Sequence, residues 1–433
     1  MHHKNVLIFC FFENMIQPRE KILLPISKSL YIRKLIYEFV ERNEVGNIPV
    51  ESPSDVQVVY EALVAISQSQ NRGEMVTSPV VIDVRDCGAA YRFLMAVLAV
   101  TPGQWLLTGN ERLLQRPIEE LVKCLRSIGA DIQWHRDGAF VYTNDKSGCW
   151  SICGKNLHAS ELTIDCHQSG QFASALLLIA NRIGLKTLHI LPENPPSASY
   201  IQLTKAVVNG DVDLAKGGLW ADWSAAVYWY ARLLLERKGS YVLSGLDLGS
   251  IQPDVLLAKW FAQWGVESRQ EAEGVVVSVD ETLVKPQEVI ALDMSQNPDL
   301  VPVMACMACL WPQKMVFNGV ANLKYKESDR LKIIQEQLSP FATIALNPYN
   351  GIEGNQLMVD PINGRDGACT VSTNDIKNDV DFVFDAHNDH RFVMGFSLFA
   401  VRGKVLIKDF DSVRKSYPHF HVEGVVSGTD IVG

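Results

Sequence analysis

"QRPIEELVKCLRSIGAD", residues 115–131, is written like a helix with both ends marked. Pro117 has the fixed φ that suits a first helical position, and Gly129 suits the stop. Between them Ile118, Leu121, Val122, Leu125 and Ile128 recur at the spacing of one buried helical face. The odd residue is Arg116. The spacing puts it at the N-cap, where the helix dipole is already positive and a cation costs stability unless an anion joins it. Just upstream, "QWLLTG" (104–109) reads as a strand.

The same arrangement recurs in both directions. "PISKSLYIRKLIYEFV" (25–40) opens on Lys28 and buries Leu35, Ile36, Phe39 and Val40. "DCGAAYRFLMAVLAV" (86–100) sets Gly88 before Tyr91, Leu94, Met95 and Leu98. "LKYKESDRLKIIQEQL" (323–338) crowds five charges ahead of the apolar stripe Leu331, Ile334 and Leu338, with Ser328 or Asp329 as the cap. "SGQFASALLLIANRIG", "DWSAAVYWYARLLLERKG" and "NDHRFVMGFSLFAVRG" follow the pattern. Between them run the strand-like "TLHILP", "GVVVSVD", "KMVFNGV" and "GKVLIKDF". Strands alternating with helices of this length predict α/β layers. The stretch 347–379 reads as a hairpin and turns.

Helix N-termini attract anions, because free N–H groups and the dipole point the same way. Lys28, Arg33, Arg116, Lys326, Arg330, Arg391 and Lys415 at such ends predict a site for phosphorylated or carboxylated small molecules. Taken singly, each is more simply a solvated surface charge; the repetition argues for convergence.

Bulk properties narrow the class. A chain of 433 residues predicts about two domains. A net charge of −9 argues against a general nucleic-acid or anionic-membrane binder. Nine scattered cysteines read as reduced thiols. The N-terminal run "NVLIFCFF" lacks a cleavage site and reads as an edge strand rather than a signal peptide, and no apolar run reaches the roughly 18 residues of a membrane span. The expected compartment is the cytoplasm. His387 and His390 stand at i, i+3, but no third ligand at a recognisable spacing predicts a metal. "CMAC" (306–309) lies in an apolar run and predicts a buried helix. Trp220, Trp223 and Trp229 predict core or interface packing.

In this order the motifs "LPISKSLYIR", "DCGAAYRFLMAVLA", "LTGNERLLQRPIEELVKCLRSIGA", "SGQFASALLL", "SASYIQLT", "NPDLVPVMACMA", "NLKYKESDRL", "NDHRFVMGFSL" and "RKSYPHF" resemble the enolpyruvyl transferase family, in its shikimate-phosphate branch. The resemblance implies a two-domain α/β fold, each domain built of three βαβαββ-like units around an interdomain cleft. One domain would be residues 1–24 plus 222–433, the other 25–221. It implies a monomer with two small-molecule partners, shikimate 3-phosphate and phosphoenolpyruvate, and no metal or organic cofactor. Phosphoenolpyruvate would be bound by Lys28, Gly88, Arg116, Gln171, Arg330, Arg391 and Lys415. Shikimate 3-phosphate would be bound by Lys28, Ser29, Arg33, Ser169, Gln171, Ser197, Tyr200, Asp299, Asn322 and Lys326. Asp299 would be the base for the 5-hydroxyl, and Glu327 with Lys28 would carry the proton at C3.

The sequence departs from the family pattern at Ile26, Ile32, Asp86, Cys87, Ala89, Phe93 and Gly170, and is short between Thr204 and Asp222. Asp86 sets a carboxylate beside an anion site, which should weaken binding. Two alternatives stand beside the main reading. One is a weakened paralogue that binds anionic metabolites, favoured by Asp86, Gly170 and the short stretch. The other is the relative acting on UDP-N-acetylglucosamine, opposed by Ser29 after Lys28 and by the lack of cysteine in "GNERLLQRP".

Overall fold

The segment around residue 115 folds as strand, turn and helix, with a shifted start. The computed structural model describes residues 20–71, 78–136, 148–212, 220–280, 282, 288–362 and 380–427. The helix begins at Glu119, with Ile118 at the N-cap, so Arg116 and Pro117 precede it. Glu119 and Glu120 then occupy the first turn, where the dipole favours carboxylates. Gly129 has φ +94° just past the end, as a helix stop requires.

This helix lies in a complete βαβαββ unit. Its elements are β2 (Val80–Asp83), α3 (Gly88–Val100), β3 (Gly103–Thr108), α4 (Glu111–Leu114), α5 (Glu119–Ser127), β4 (Asp131–His135) and β5 (Cys149–Gly154). The sheet order is β2-β3-β5-β4, with β2 and β3 parallel and the β4–β5 pair antiparallel. Two helices precede it, α1 (Lys28–Arg42) and α2 (Ser54–Asn71). A shortened unit follows: the parallel strands β6 (Glu161–Asp165) and β7 (Thr187–Leu191), with α6 (Gln171–Leu178) and α7 (Ala180–Ile183) between them and α8 (Ala198–Asn209) after.

Beyond residue 220 the same order returns twice. β1 (Glu20–Leu23) pairs parallel to β8 (Ser240–Ser244), which follows α9 (Trp223–Glu236). With α10 (Leu257–Ala262), β9 (Val266–Glu271) and β10 (Gly274–Val279) they give the sheet β1-β8-β10-β9. Next come β11 (Val289–Asp293), α11 (Val301–Leu310), β12 (Lys314–Asn318), α12 (Arg330–Leu338), β13 (Ala342–Tyr349) and β14 (Ile352–Pro361), in the order β11-β12-β14-β13. The last unit is three parallel strands, β15 (Phe382–Asp385), β16 (Val405–Lys408) and β17 (Val425–Ser427), with α13 (His390–Phe396) after the first. Three units are thus complete among the described residues, and the others are shorter than the resemblance implies.

Two large apolar cores and a small cluster of Leu30, Leu203 and Val207 result among the described residues. One gathers Ile22, Leu24 and residues from Ala221 to Val422; the other runs from Ile32 to Ile201. α3 and α11 are buried on nearly every face, so their sequences are apolar all round rather than striped. Cys306 and Cys309 are free thiols inside α11, as the buried-helix reading expects. Trp223 and Trp229 sit in the first core, and Trp220 meets the Tyr31 ring edge-on at 5.3 Å. The hairpin expected in 347–379 forms as β13 and β14, and 363–379 lies outside the described residues, as does "NVLIFCFF". Among the described residues no helix is long and apolar enough to cross a membrane.

Candidate active site

One cavity is walled from both sides of the molecule. Lys28, Ser29, Arg33, Gly88, Arg116, Ser169, Gln171, Ser197 and Tyr200 line it from the segment 25–221, and Asp299, Asn322, Lys326 and Glu327 from the other. Lys415 lines an adjoining cavity together with Arg116 and Glu327. Arg330 and Arg391 stand behind these walls, each nearly solvent-free.

Helix starts build the first wall. Lys28 opens α1, Gly88 opens α3 and Gln171 opens α6. Ser197 caps α8 in a left-handed conformation (φ +62°), and its N–H donates to Ser295 O (2.8 Å) on the facing wall. Arg33 lies one turn into α1, not at its end. Its Nε donates to Thr204 Oγ1 (2.7 Å), and its guanidinium lies 5.1 Å from the Phe93 ring. Burial without a carboxylate pushes Arg33 down to about 10. Phe93, a departure from the family pattern, therefore acts as the platform for a site cation.

The facing wall is organised by Arg330, the first residue of α12, whose N-cap is Asp329. Nη1 donates to Asp299 (2.8 Å), Nη2 to Glu327 (2.8 Å) and Nε to Asp389 (2.8 Å). Lys326 Nζ adds a second bond to Asp299 (3.1 Å). The positive charge expected to need a ligand is thus answered by three carboxylates. Burial alone would raise the Asp299 and Glu327 carboxyls. Lys326 and Arg330 outweigh it at Asp299, Arg330 and Arg116 at Glu327, and both are held well below the usual carboxylate range.

Arg116 and Arg391 differ. Arg116 Nε donates to Tyr325 O (3.2 Å) across the cleft, but its buried Nη1 has no protein partner. Arg391 Nη1 donates to Ser224 O (3.0 Å), and its buried Nε has none. The Asn322 Oδ1 acceptor is likewise buried and unpartnered. Such groups are rare in folded interiors, because each forfeits the hydrogen bonds it had in water. Gly88 presses on Arg116: a Cβ there would run into the guanidinium. Lys415 sits at the end of a short 3-10 turn (Phe410–Lys415), not at a helix start as the pattern implied.

Several residues here escaped the sequence reading. Asp55 pairs with Lys28 (2.9 Å); with Glu327 it overcomes the burial that would lower the ammonium, and raises it. A Pro-Ser-Asp start before Val56, Val59, Leu63 and Ile66 marks α2, so the helix was detectable, though the pairing was not. Arg92 Nη1 donates to Gln171 Oε1 (2.7 Å), which leaves the amide NH2 of Gln171 as a donor. Asp254 is buried against Tyr200 OH (3.1 Å), Asn297 and Ser224. His390 is buried with neither ring nitrogen hydrogen-bonded, its Nδ1 lying 3.9 Å from Asp389, and burial beside Lys28 and Arg391 pushes it well below the usual imidazole range. His387 lies half-exposed near Asp385.

Two departures find a local cause. At Gly170 a Cβ would meet Pro196 O at 2.9 Å, so the missing side chain lets the 196–197 loop approach. Asp86 faces Lys415, Nζ to Oδ2 2.5 Å.

Two α/β halves of repeated βαβαββ units, closing on a cation-lined cleft, define an enolpyruvyl transferase type of fold. The family model for EPSP synthase (3-phosphoshikimate 1-carboxyvinyltransferase) matches residues 56–423. A 3-phosphoshikimate 1-carboxyvinyltransferase of Bacteroides fragilis is 29% identical over 430 residues, covering 93% of this chain and 94% of that protein. The enzyme of that name from Pyrococcus abyssi is 28% identical over 449 residues, covering 96% and 97%. The EPSP synthase structure from Acinetobacter baumannii shares the fold, with TM-score 0.56 at 17% identity over 92% of this chain and 93% of that one. The chain belongs to the EPSP synthase family.

Proposed function

We propose that the protein transfers the enolpyruvyl group of phosphoenolpyruvate to the 5-hydroxyl of shikimate 3-phosphate and releases phosphate. The hydroxyl attacks C2 while a proton is delivered to C3; the tetrahedral ketal phosphate then gives up the C3 proton and expels phosphate, re-forming the double bond. The observation that carries this reading is the pair of buried guanidinium N–H groups without protein partners, on Arg116, which lines the cleft, and on Arg391 behind its wall. A ligand anion reaching such charged donors would offset their desolvation.

In this account Arg116, Arg391, Lys28 and Lys415, with Gly88 and Gln171, hold phosphoenolpyruvate. Arg330 contributes by fixing Asp299 and Glu327. Ser29, Arg33, Ser169, Gln171, Ser197, Tyr200, Asn322 and Lys326 hold shikimate 3-phosphate. Asp299 takes the proton of the 5-hydroxyl. Glu327 begins ionised, and two polyanionic substrates beside it raise its affinity for a proton, fitting it to serve C3 with Lys28. We divide the chain at residues 24 and 222, a division that the two large apolar cores support, and closure would bring the two substrate subsites together. We assign the reaction to a monomer in the cytoplasm, working on two dissolved metabolites.

The test is inorganic phosphate release with each substrate omitted in turn. Release that needs both, and collapses in Glu327→Gln, is the expected result. No release, while both substrates still raise the melting temperature, would favour the weakened paralogue, and release from phosphoenolpyruvate alone would contradict the transferase reading.

A further inference from the structure

The cleft cations differ in where their carboxylates come from. Lys28 takes Asp55 from its own wall, and Arg330 takes Asp299, Glu327 and Asp389 from its own wall. Lys415 takes Asp86 from the opposite one. Asp86 stands two residues before α3, in the half built on the second core, whereas Lys415 follows β16 in the half built on the first. Their 2.5 Å contact is largely screened from water on the lysine side, where 13% of the side chain is exposed. Lys415 Nζ also donates to Asn388 O (2.6 Å), which fixes its head in place. Beside the pair opens a cavity of about 310 Å³ lined by Asp86, Arg116, Glu327, His387, Asn388 and Lys415. A small anion entering it meets Lys415 already holding a carboxylate.

We propose that Asp86 is an internal counter-anion of the phosphoenolpyruvate subsite: it holds Lys415 across the cleft and must surrender it when the substrate's phosphate or carboxylate arrives. This rests on the reading of the cleft given above. Two effects follow from one contact. The pair links the two halves without ligand, so part of the closing free energy is present before substrate binds. It also opposes the entering anion twice, by occupying the ammonium and by like-charge repulsion once displaced. Asp86 is thereby a specificity-determining residue, selecting anions charged enough to displace it. The shikimate 3-phosphate wall, built on Arg33, Ser169 and Tyr200, is not in contact with it.

The experiment is calorimetric titration of phosphoenolpyruvate into the full chain and into Asp86→Asn, at low and high salt. The variant binds about tenfold tighter at low salt, the scale expected when one partner of a close charge pair is removed. The advantage shrinks at high salt and changes size in a Lys415→Met background, where only the like-charge repulsion of Asp86 remains to be relieved. Asp86→Ser gives the same result should the Asn variant fail to fold, while Asp86→Glu stays weak. Equal or weaker binding by both neutral variants, or no heat from any protein, overturns the proposal. Turnover with both substrates is followed in parallel. Its absence in the unaltered protein counts against the transferase reading alone, whereas tighter phosphoenolpyruvate binding by the variants still supports the counter-anion.

Discussion

Arg330 and Arg116 look alike in the sequence, each an arginine at the mouth of an apolar helix, yet the fold uses them in opposite ways. Arg330 spends its fork on Asp299, Glu327 and Asp389, and nothing in its first layer of contacts calls for a ligand. Arg116 is 7% exposed, touches one carbonyl through Nε and keeps a buried N–H empty. The first arrangement holds acid–base groups in place; the second leaves a charged donor turned to the cavity. A cation at a helix start therefore says only that an anion is needed. Whether the anion is a side chain or a substrate is decided by residues distant in the chain.

The contrast can be broken most forcefully at Arg330. Arg330→Met strands three carboxylates in a buried hub, and loss of one partner of a buried ion pair costs about 3–5 kcal/mol. A large fall in melting temperature together with lost turnover is expected. A stable, active variant would dissolve the distinction. Arg116→Met should do the reverse. Its melting temperature stays near that of the unaltered protein, while kcat/KM for phosphoenolpyruvate falls about a hundredfold, as when one preorganised donor to developing charge is removed.

Gly88→Ala sharpens the comparison on a finer scale. The new methyl pushes the Arg116 guanidinium, the end of a flexible side chain, so the fold survives. The phosphoenolpyruvate KM should rise about tenfold, with the shikimate 3-phosphate KM spared. Parallel rises in both constants would contradict the assignment of Gly88 and Arg116 to one subsite.

The smallest effect is in pH. His390 is depressed in the fold, so as pH falls below the ordinary 6.5 the unfolded chain gains a proton first and stability drops. Asp299 and Glu327 are also depressed, so the stability they add above their ordinary 3.8 and 4.5 is lost on further acidification. Asp254, raised by burial, works with the opposite sign: the folded state holds its proton longer, which favours folding as pH drops toward 3.8. Melting temperature should fall in two stages on acidification from neutral pH, one below 6.5 and one below 4.5, measured by thermal scans, and the upper stage should vanish in His390→Gln.

What was legible in the sequence was local. The stripe Leu331, Ile334, Leu338 and the Asp329 cap lie within one helix, and the fold keeps both. The α/β alternation likewise follows from short-range periodicity. The start of α5 falls two residues later than the sequence predicts, because Pro117 fits several positions near a helix entrance and the Glu119–Glu120 pair fits the first turn better. What stayed hidden was long-range. Asp389 lies 59 residues from Arg330, and no spacing rule links them. Asp86 looked like a flaw in an anion site until Lys415, from the other half of the molecule, was seen to face it. Whether the Thr204–Asp222 stretch is short stays an expectation, since residues 213–219 lie outside the described residues.

The most direct measurement is a crystal structure with shikimate 3-phosphate and an unreactive phosphoenolpyruvate analogue bound. The account predicts substrate oxygens within about 3 Å of Arg116 Nη1 and Arg391 Nε, with the Arg330 contacts to its three carboxylates unchanged. Both substrates seated in the cleft with those two nitrogens still unaddressed would contradict it.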